Sequence, residues 1–338
     1  MRNPCPAGAP AVYPRRAILP GAAVAAALPG ARRAGAQLHG AAKLTVAIVS
    51  QTFFYVPLWA GIRDGAFRRA GIEVALVQLG NASQVGPLMS GAAHLAIATP
   101  EAVLQDVAAG GPLRIVAGNT GKLAHSLIAR QQFRDIPSLR GGRIGILNRA
   151  EGTFFQVRAM LERHGLDFPG DYTVVETGGV PARHRALLAG MIDAGLQSAP
   201  WSYLEEEGGF TNLGEVIDTI PDWQFVSVNA RLNWAEENAG LLATFLAVLL
   251  RCTDWVYGHR AEAATVAAES LPARMDHALR AWDYYTGTGA LTRDLSVSEP
   301  GLRTVLDAQR RNGLLDARAP SSPEAYADLR FLEAARSR

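Results

Sequence analysis

A chain of 338 residues with 49% hydrophobic content can bury large cores and is long enough for two domains, which excludes a disordered or fibrous protein. Its 33 basic and 31 acidic residues nearly cancel, but Arg2, Arg15, Arg16, Arg32 and Arg33 all fall in the first 36 residues, where there is no acid. Without that segment, 28 basic residues face 31 acidic ones, a net charge of −3, and no basic cluster with interleaved aromatics is left to argue for nucleic acid.

The first segment reads as an address. Pro14-Arg15-Arg16-Ala17-Ile18-Leu19 precedes an alanine-rich apolar run to Leu28, and Ala34-Gly35-Ala36 gives a small-residue cleavage pattern before Gln37. This is a secretory signal of twin-arginine type spanning residues 1–36, and it implies a periplasmic protein cleaved near Ala36. The apolar run, interrupted by Pro20 and Pro29, is too short to span a bilayer. Cys5 leaves with the signal, and Cys252 stays alone in an apolar helix as a small buried hydrophobe, so no intrachain disulfide is expected.

From Lys43 to Ser50 the β-branched content predicts a strand, followed by the loop Ser50-Gln51-Thr52-Phe53-Phe54-Tyr55-Val56-Pro57. A helix from Leu58 to Arg69 ends at Gly71, and Ile72 to Leu79 is the next strand. Gly80-Asn81-Ala82-Ser83 opens a helix to Gly91, with Asn81 or Ser83 placed to cap it. After a strand at Leu95 to Ala98, Pro100 and Glu101 start a helix that stops at Gly110-Gly111, and Leu113 to Gly118 is a further strand. Leu127-Ile128-Ala129 reads as a crossing segment. Beyond it come a strand at Arg143 to Leu147, a helix opened by Gly152-Thr153, a strand at Tyr172 to Glu176 and a helix at Val180 to Leu188. Trp223 to Asn229 carries the chain back. From Ala235 onward the pattern is helical, over Ala239 to Tyr257, Arg260 to Ser270 and Pro300 to Asn312.

One motif occurs twice. Leu88-Met89-Ser90-Gly91-Ala92-Ala93-His94-Leu95-Ala96-Ile97-Ala98-Thr99-Pro100 is matched by Leu187-Leu188-Ala189-Gly190-Met191-Ile192-Asp193-Ala194-Gly195-Leu196-Gln197-Ser198-Ala199-Pro200. Each copy is a helix stopped at a glycine, a short apolar strand, and a hydroxyl residue and proline at the strand's end, as in an open parallel sheet. Ligands of doubly wound sheets sit beyond the carboxyl ends of the strands, which puts Thr99-Pro100-Glu101 and Ser198-Ala199-Pro200 at a ligand cleft between two lobes.

Several segments together resemble a family. These are Val56-Pro57-Leu58 before a helix ending in Gly65-Ala66-Phe67-Arg68-Arg69-Ala70-Gly71-Ile72-Glu73-Val74, then Ser90-Gly91, Asp135-Ile136-Pro137-Ser138-Leu139-Arg140-Gly141-Gly142-Arg143-Ile144-Gly145 and Ala189-Gly190-Met191-Ile192-Asp193-Ala194. Over roughly residues 43–335 the chain resembles the periplasmic solute-binding proteins of nitrate, sulfonate, taurine and thiamine-precursor ABC importers, the SsuA/THI5-like and NMT1-like family. The resemblance implies an α/β type II periplasmic-binding-protein fold of two doubly wound lobes, with lobe one at 43–128 and 229–335 and lobe two at 129–228. It also implies closure on a small-molecule solute, docking to an ABC permease, a monomer, no cofactor and no catalysis. Two departures stand out: His94 where aspartate is common, and Ser198-Ala199-Pro200 where Glu-Pro is common, both placed by this reading at the pocket edge.

The candidate ligand contacts follow from these positions. Thr153, Asn81 and Ser83 sit at helix starts, where free N–H groups favour an anionic group, although ordinary capping accounts for them equally. Thr52, Phe53 and Tyr55 lie in the loop after the first strand, with Phe154 and Trp201 as a facing wall and Asn119 at the end of its strand. Thr99 and Ser198 end their strands. Glu101 discriminates most: a cleft carboxylate repels nitrate or a sulfonate and welcomes an amine or protonated ring nitrogen, while the helix dipole alone also favours glutamate there. The scattered His94, His125, His164 and His184 name no metal set. The main expectation is a receptor for a sulfonate-, pyrimidine- or aromatic-type solute. The alternatives are an enzyme of pyrimidine-precursor or menaquinone-pathway type on the same scaffold, and a sensor for a membrane signalling partner. With only Lys43, Lys122 and Cys252 beyond the signal, the pyrimidine-forming chemistry finds few of the groups it needs.

Overall fold

The computed structural model describes residues 40–80 and 82–338, so the segment expected to be an export signal and Asn81 lie outside the described residues. The first lobe begins with β1 (Ala42–Ile48), whose apolar residues are buried from Leu44 on, and a 3-10 turn at Phe53–Tyr55. Then come α1 (Val56–Arg63) and α2 (Ala66–Arg69), which together replace the single helix expected and are separated at Asp64 and Gly65. The lobe continues with β2 (Ile72–Gln78), α3 (Val85–Ser90), β3 (Leu95–Ala98), α4 (Glu101–Ala108) and β4 (Leu113–Thr120).

The second lobe holds β5 (Ser126–Ala129), β6 (Arg143–Ile146), α5 (Gly152–Glu162), β7 (Thr173–Glu176) and α6 (Val180–Leu188), then β8 (Ala194–Gln197), α7 (Trp201–Glu207), β9 (Thr211–Glu215) and α8 (Val216–Thr219). The chain returns through β10 (Val226–Arg231) and finishes with α9 (Leu232–Glu237), α10 (Ala239–Gly258), α11 (Arg260–Ser270), α12 (Met275–Gly287), α13 (Glu299–Arg311) and α14 (Arg330–Arg336).

Two five-stranded sheets result, in the orders β2-β1-β3-β10-β4 and β7-β6-β8-β5-β9. Each contains a β-α-β-α-β unit in which the first strand pairs in parallel with the other two: β1 with β2 and β3, and β6 with β7 and β8. The sheets are nevertheless mixed, not parallel throughout. The first strand after each crossing inserts antiparallel, β10 between β3 and β4, and β5 between β8 and β9. Leu127-Ile128-Ala129, expected to cross between lobes, is therefore an interior strand of the second sheet, and the crossing is made by residues 121–125.

Four-residue strands survive here because they are covered on both faces. Leu95, Ala96, Ile97 and Ala98 of β3 are all buried, as continuous apolar runs in covered sheets should be. The carboxyl-terminal helices supply one such cover. Phe245 of α10 stacks on Phe67 of α2 at 5.1 Å, and Leu242, Leu246 and Leu249 join them in the core. By length and composition α10 could cross a membrane, but its buried apolar face makes it the core helix of lobe one. Cys252 on this helix is buried and free, with its thiol pushed up to about 11 by desolvation.

Candidate functional site

The carboxyl ends of β1, β3, β6 and β8 meet along one seam between the lobes, and that seam is shut. Trp201 Nε1 donates to the carbonyl of Gln51 at 2.9 Å, and Gln105 Nε2 on α4 donates to the carbonyl of Ala150 at 3.4 Å. At the rim, Arg274 bridges Glu207 and Asp276, Tyr284 Oη donates to Glu215 Oε2 at 3.2 Å, and the Arg280 guanidinium sits 3.9 Å from the Tyr203 ring centroid.

Glu101 stands at the centre of the closed seam. As the first residue of α4 it occupies a position where the helix dipole attracts negative charge. Its side chain is fully buried, and neither carboxyl oxygen meets a described hydrogen-bond partner. Across the seam lies Gly152, the first residue of α5, where a Cβ would come within 2.6 Å of Glu101 Oε1 and force that carboxyl to shift. The same point lies 3.0 Å from Gln156 Nε2 and 3.4 Å from Cζ2 of Trp223, so carboxyl, amide and indole converge on one spot. Gln156 Nε2 and Trp223 Nε1 are also buried without partners.

A second carboxyl joins from lobe two. Glu151, at the N-cap of α5, accepts a hydrogen bond from Thr99 Oγ1. Burial holds Glu101 well above the ordinary carboxylate range and the Glu151 charge raises it further; burial raises Glu151 as well, opposed by the Thr99 hydroxyl. Among the described residues, neither carboxyl forms an ion pair.

Gln156 is oriented from behind. His125 Nδ1 lies 2.9 Å from Gln156 Oε1, and the imidazole meets the Phe225 ring edge-on at 4.7 Å. Burial, followed by the nearby Arg183 charge, pushes His125 down to about 3, so the ring is neutral. An imidazole that donates from Nδ1 to Oε1 leaves the Gln156 amide nitrogen turned toward Glu101. Arg183 itself is buried and spends its Nε and an Nη on the carbonyls of Leu196 and Gly178, each at 2.8 Å.

Neutral groups supply the other polar atoms. Thr52 Oγ1, Ser198 Oγ, Ser202 Oγ, both Gln197 amide atoms and Tyr285 Oη are buried without hydrogen-bond partners. Tyr285 comes from α12, its phenol raised far above its usual value by burial. Phe53 stacks on its ring at 5.1 Å. Buried polar atoms in proteins are nearly always paired, so an unpartnered cluster donated by both lobes makes this seam the candidate site.

Of the residues singled out from the sequence, Thr52, Thr99, Glu101, Ser198 and Trp201 reach this seam, with Phe53 backing Tyr285. Others are spent within their own lobes. Tyr55 donates to the carbonyl of Ile97 at 2.8 Å and accepts from the Val49 amide at 3.0 Å, inside lobe one. Thr153 Oγ1 accepts from the Leu147 amide at 2.9 Å, tying α5 to β6. Phe154 packs edge-on against Phe168 within lobe two, and the exposed Ser83 accepts from the Val85 amide. Asn119 is buried on β4, its Oδ1 accepting from Thr120. His94 is not at the pocket edge: it precedes β3, at the end of the sheet away from the seam. Glu151, Gln156, His125, Trp223, Gln197 and Tyr285 were missed. His125 and Trp223 carried a signal, since both lie in segments that cross between lobes and such segments floor a cleft.

Glu207, Asp276 and His277 bring three potential metal-ligand atoms within 4.8 Å of one another. The Arg274 guanidinium already sits on both carboxylates and His277 Nε2 lies 3.0 Å from Glu207 Oε1, so the group works as an ion-pair clasp between α7 and α12.

The fold has many relatives among solved structures. The ligand-binding component of an ABC-type import system from Staphylococcus aureus, solved with zinc bound, superposes with a TM-score of 0.73 at 14% identity, over 87% of this chain and 99% of that one. The alkanesulfonate-binding protein SsuA from Xanthomonas axonopodis pv. citri, bound to MOPS, gives a TM-score of 0.67 at 17% identity, over 84% and 97%. The desulfurization enzyme DSZB gives 0.63 at 16% identity, over 88% and 100%. The type II periplasmic-binding-protein fold is thus shared by binding proteins and an enzyme. No curated protein matches the chain in sequence. The NMT1/THI5-like family matches residues 53–263, more than half of the chain. The chain belongs to the NMT1/THI5-like family.

Proposed function

We propose that this protein is a periplasmic, monomeric receptor that closes its two lobes over a small organic solute and delivers it to an ABC import permease. The observation that carries the reading is the seam of buried, unpartnered polar atoms supplied by Thr52, Glu101 and Tyr285 from one lobe and Gln156, Gln197 and Ser198 from the other. A ligand that pairs with groups from both lobes stabilises only the closed form, and lobe closure is what a permease reads. The import-system and alkanesulfonate-binding relatives support this use of the fold. Of the sulfonate-, pyrimidine- and aromatic-type solutes expected from the sequence, sulfonates suit the seam least, because two carboxyls sit in it and, among the described residues, no cation pairs with them.

The desulfurization relative raises an enzyme reading. A nucleophile needs a base against it. Among the described residues the hydroxyls of Thr52, Ser198 and Ser202 contact no base, Thr99 donates to the Glu151 carboxyl, the neutral His125 is engaged with Gln156, and Lys122 is held by the carbonyl of Thr288 at 2.9 Å. A sensor would use the same cleft, with a signalling protein in place of the permease.

X-ray scattering and thermal unfolding of the protein with and without candidate solutes test the receptor. A solute at a hundred times its dissociation constant adds about 2.7 kcal/mol of stability, and closure lowers the radius of gyration. A midpoint rise together with compaction supports a receptor; turnover of any bound solute into product overturns it in favour of the enzyme.

A further inference from the structure

Two carboxyls brought together at the seam, Glu101 fully buried and Glu151 partly so, each placed by a different lobe, form a pair that a ligand must neutralise if both are to be ionised. Glu101 is held at the start of α4 and Glu151 at the N-cap of α5, with Gly152 lacking a side chain where the Glu101 carboxyl approaches. Thr99 serves Glu151, and both oxygens of Glu101 remain open. Among the described residues no basic side chain pairs with either. The other groups facing the pair are neutral: the Gln156 amide, the Trp223 indole and, behind Gln156, the neutral His125, with Arg183 one layer further back and turned to backbone carbonyls. A positive charge bearing N–H donors completes this set, because it replaces the lost solvation of the carboxylates with charge-assisted hydrogen bonds.

We propose that the solute is an organic nitrogen cation, an amine, amidine or protonated ring nitrogen, whose N–H groups bridge Glu101 of one lobe and Glu151 of the other. The assignment rests on the receptor reading above and names its solute class. The remaining site groups fit the rest of such a molecule. Trp223 and Gln156 offer donors beside the cation, and Thr52, Ser198, Gln197 and Tyr285 offer neutral partners. The pair also makes the solute a condition of closure. In the empty protein the carboxyls can come together only by sharing a proton, which the arriving cation displaces.

Isothermal titration of the full chain with matched probes decides this: the cations benzamidine, benzylamine and methylguanidine, neutral benzamide, and the anions benzoate and benzenesulfonate. Each is run in two buffers of different protonation enthalpy. A cation should bind most tightly and release up to one proton. Glu101→Gln and Glu151→Gln should each weaken that binding on the order of 100-fold while the thermal midpoint of the empty protein holds or rises, which separates lost recognition from lost folding. Tighter binding by benzamide, benzoate or benzenesulfonate overturns the cation and leaves the receptor standing, as does an unchanged cation affinity in Glu101→Gln. Silence of all six probes, with no compaction in scattering, overturns both.

Discussion

The repeated motif lets one half of the molecule be compared with the other at single positions. Gly91 and Gly190 both end their helices with positive φ, at 76° and 65°, and β3 and β8 both run four buried residues to a proline. His94 and Asp193 both precede their strands and close the same clasp. The His94 amide donates to the carbonyl of Thr45 while His94 Nδ1 accepts from the Thr45 amide; Asp193 N donates to the carbonyl of Arg143 while Asp193 Oδ2 accepts from the Arg143 amide. After Pro100 and Pro200, however, the chemistry parts company. Lobe one puts the carboxyl of Glu101 into the seam, and lobe two puts the indole of Trp201 there. Repetition sets the backbone frame at both ends of the strand, and the residue after the proline is free to carry recognition in one lobe and lobe-to-lobe adhesion in the other.

The sharpest way to break this division is to truncate the two post-proline residues and compare signs. Trp201→Ala removes a nearly buried indole and its hydrogen bond to Gln51, and should cost about 3–5 kcal/mol of stability by thermal or denaturant unfolding. Glu101→Gln removes a buried, unpaired carboxyl with little change of shape, and should stabilise the empty protein by about 1–2 kcal/mol. Equal and unfavourable effects at both positions would show that Glu101 is part of the structural frame and not of recognition.

At the other end of the strands the two clasps should fail at different pH. Asp193 is served by the Arg143 amide, Nε and an Nη, with Arg130 at 3.8 Å, so Asp193→Ala should cost about 2–3 kcal/mol, against about 1 kcal/mol for His94→Ala. Hydrogen bonds from Arg143 hold the Asp193 carboxyl below its usual range, and burial lowers His94. Both groups are depressed, so each contributes stability above its unfolded value that is lost as pH falls through and below it. For His94 the loss begins near pH 6.5, because Nδ1 cannot accept from Thr45 once protonated. For Asp193 it begins only near pH 3.8. The stability of wild type relative to His94→Asp, followed from pH 7.5 to 5, should therefore fall as pH falls; His125, which titrates in both proteins, cancels. A difference independent of pH would mean that the Trp234 stack, at 5.4 Å, and not the Thr45 bond, is what His94 provides.

The same comparison shows what was legible beforehand. Glycine, apolar tetrad and proline are local signals, and they located both strands, both helix ends and the seam at the strands' carboxyl ends. Glu101, Thr99, Ser198 and Trp201 followed because they are adjacent to those signals. What adjacency could not supply was direction. Tyr55 belongs to the loop that enters the seam, yet its hydroxyl turns back to Val49 and Ile97, while Gln156, a full turn into α5, reaches the seam because a helix returns that face to its N-terminus. The inserted strand β5 was missed for a related reason. Leu127-Ile128-Ala129 carries no turn residue and no alternation, and only pairing with β8 and β9, distant in sequence, makes it a strand.

The smallest expected effect tests whether the two frames really are equivalent. Gly91 and Gly190 each adopt a left-handed conformation that a Cβ makes costly, in the position that ends a helix and turns the chain toward its strand. Alanine at either position should cost about 1 kcal/mol. A Cβ on Gly91 meets nothing within 4 Å, and one on Gly190 comes within 3.3 Å of an Nη of Arg130, the flexible end of a half-exposed side chain that can give way. Because these helix ends lie away from the seam, both variants should keep wild-type solute affinity, so that stability moves and binding does not. Losses differing by more than about 1 kcal/mol would mean that Arg130, which reaches toward Asp193, is tied into the lobe-two clasp through Gly190, and that the two copies share a backbone path but not its stability.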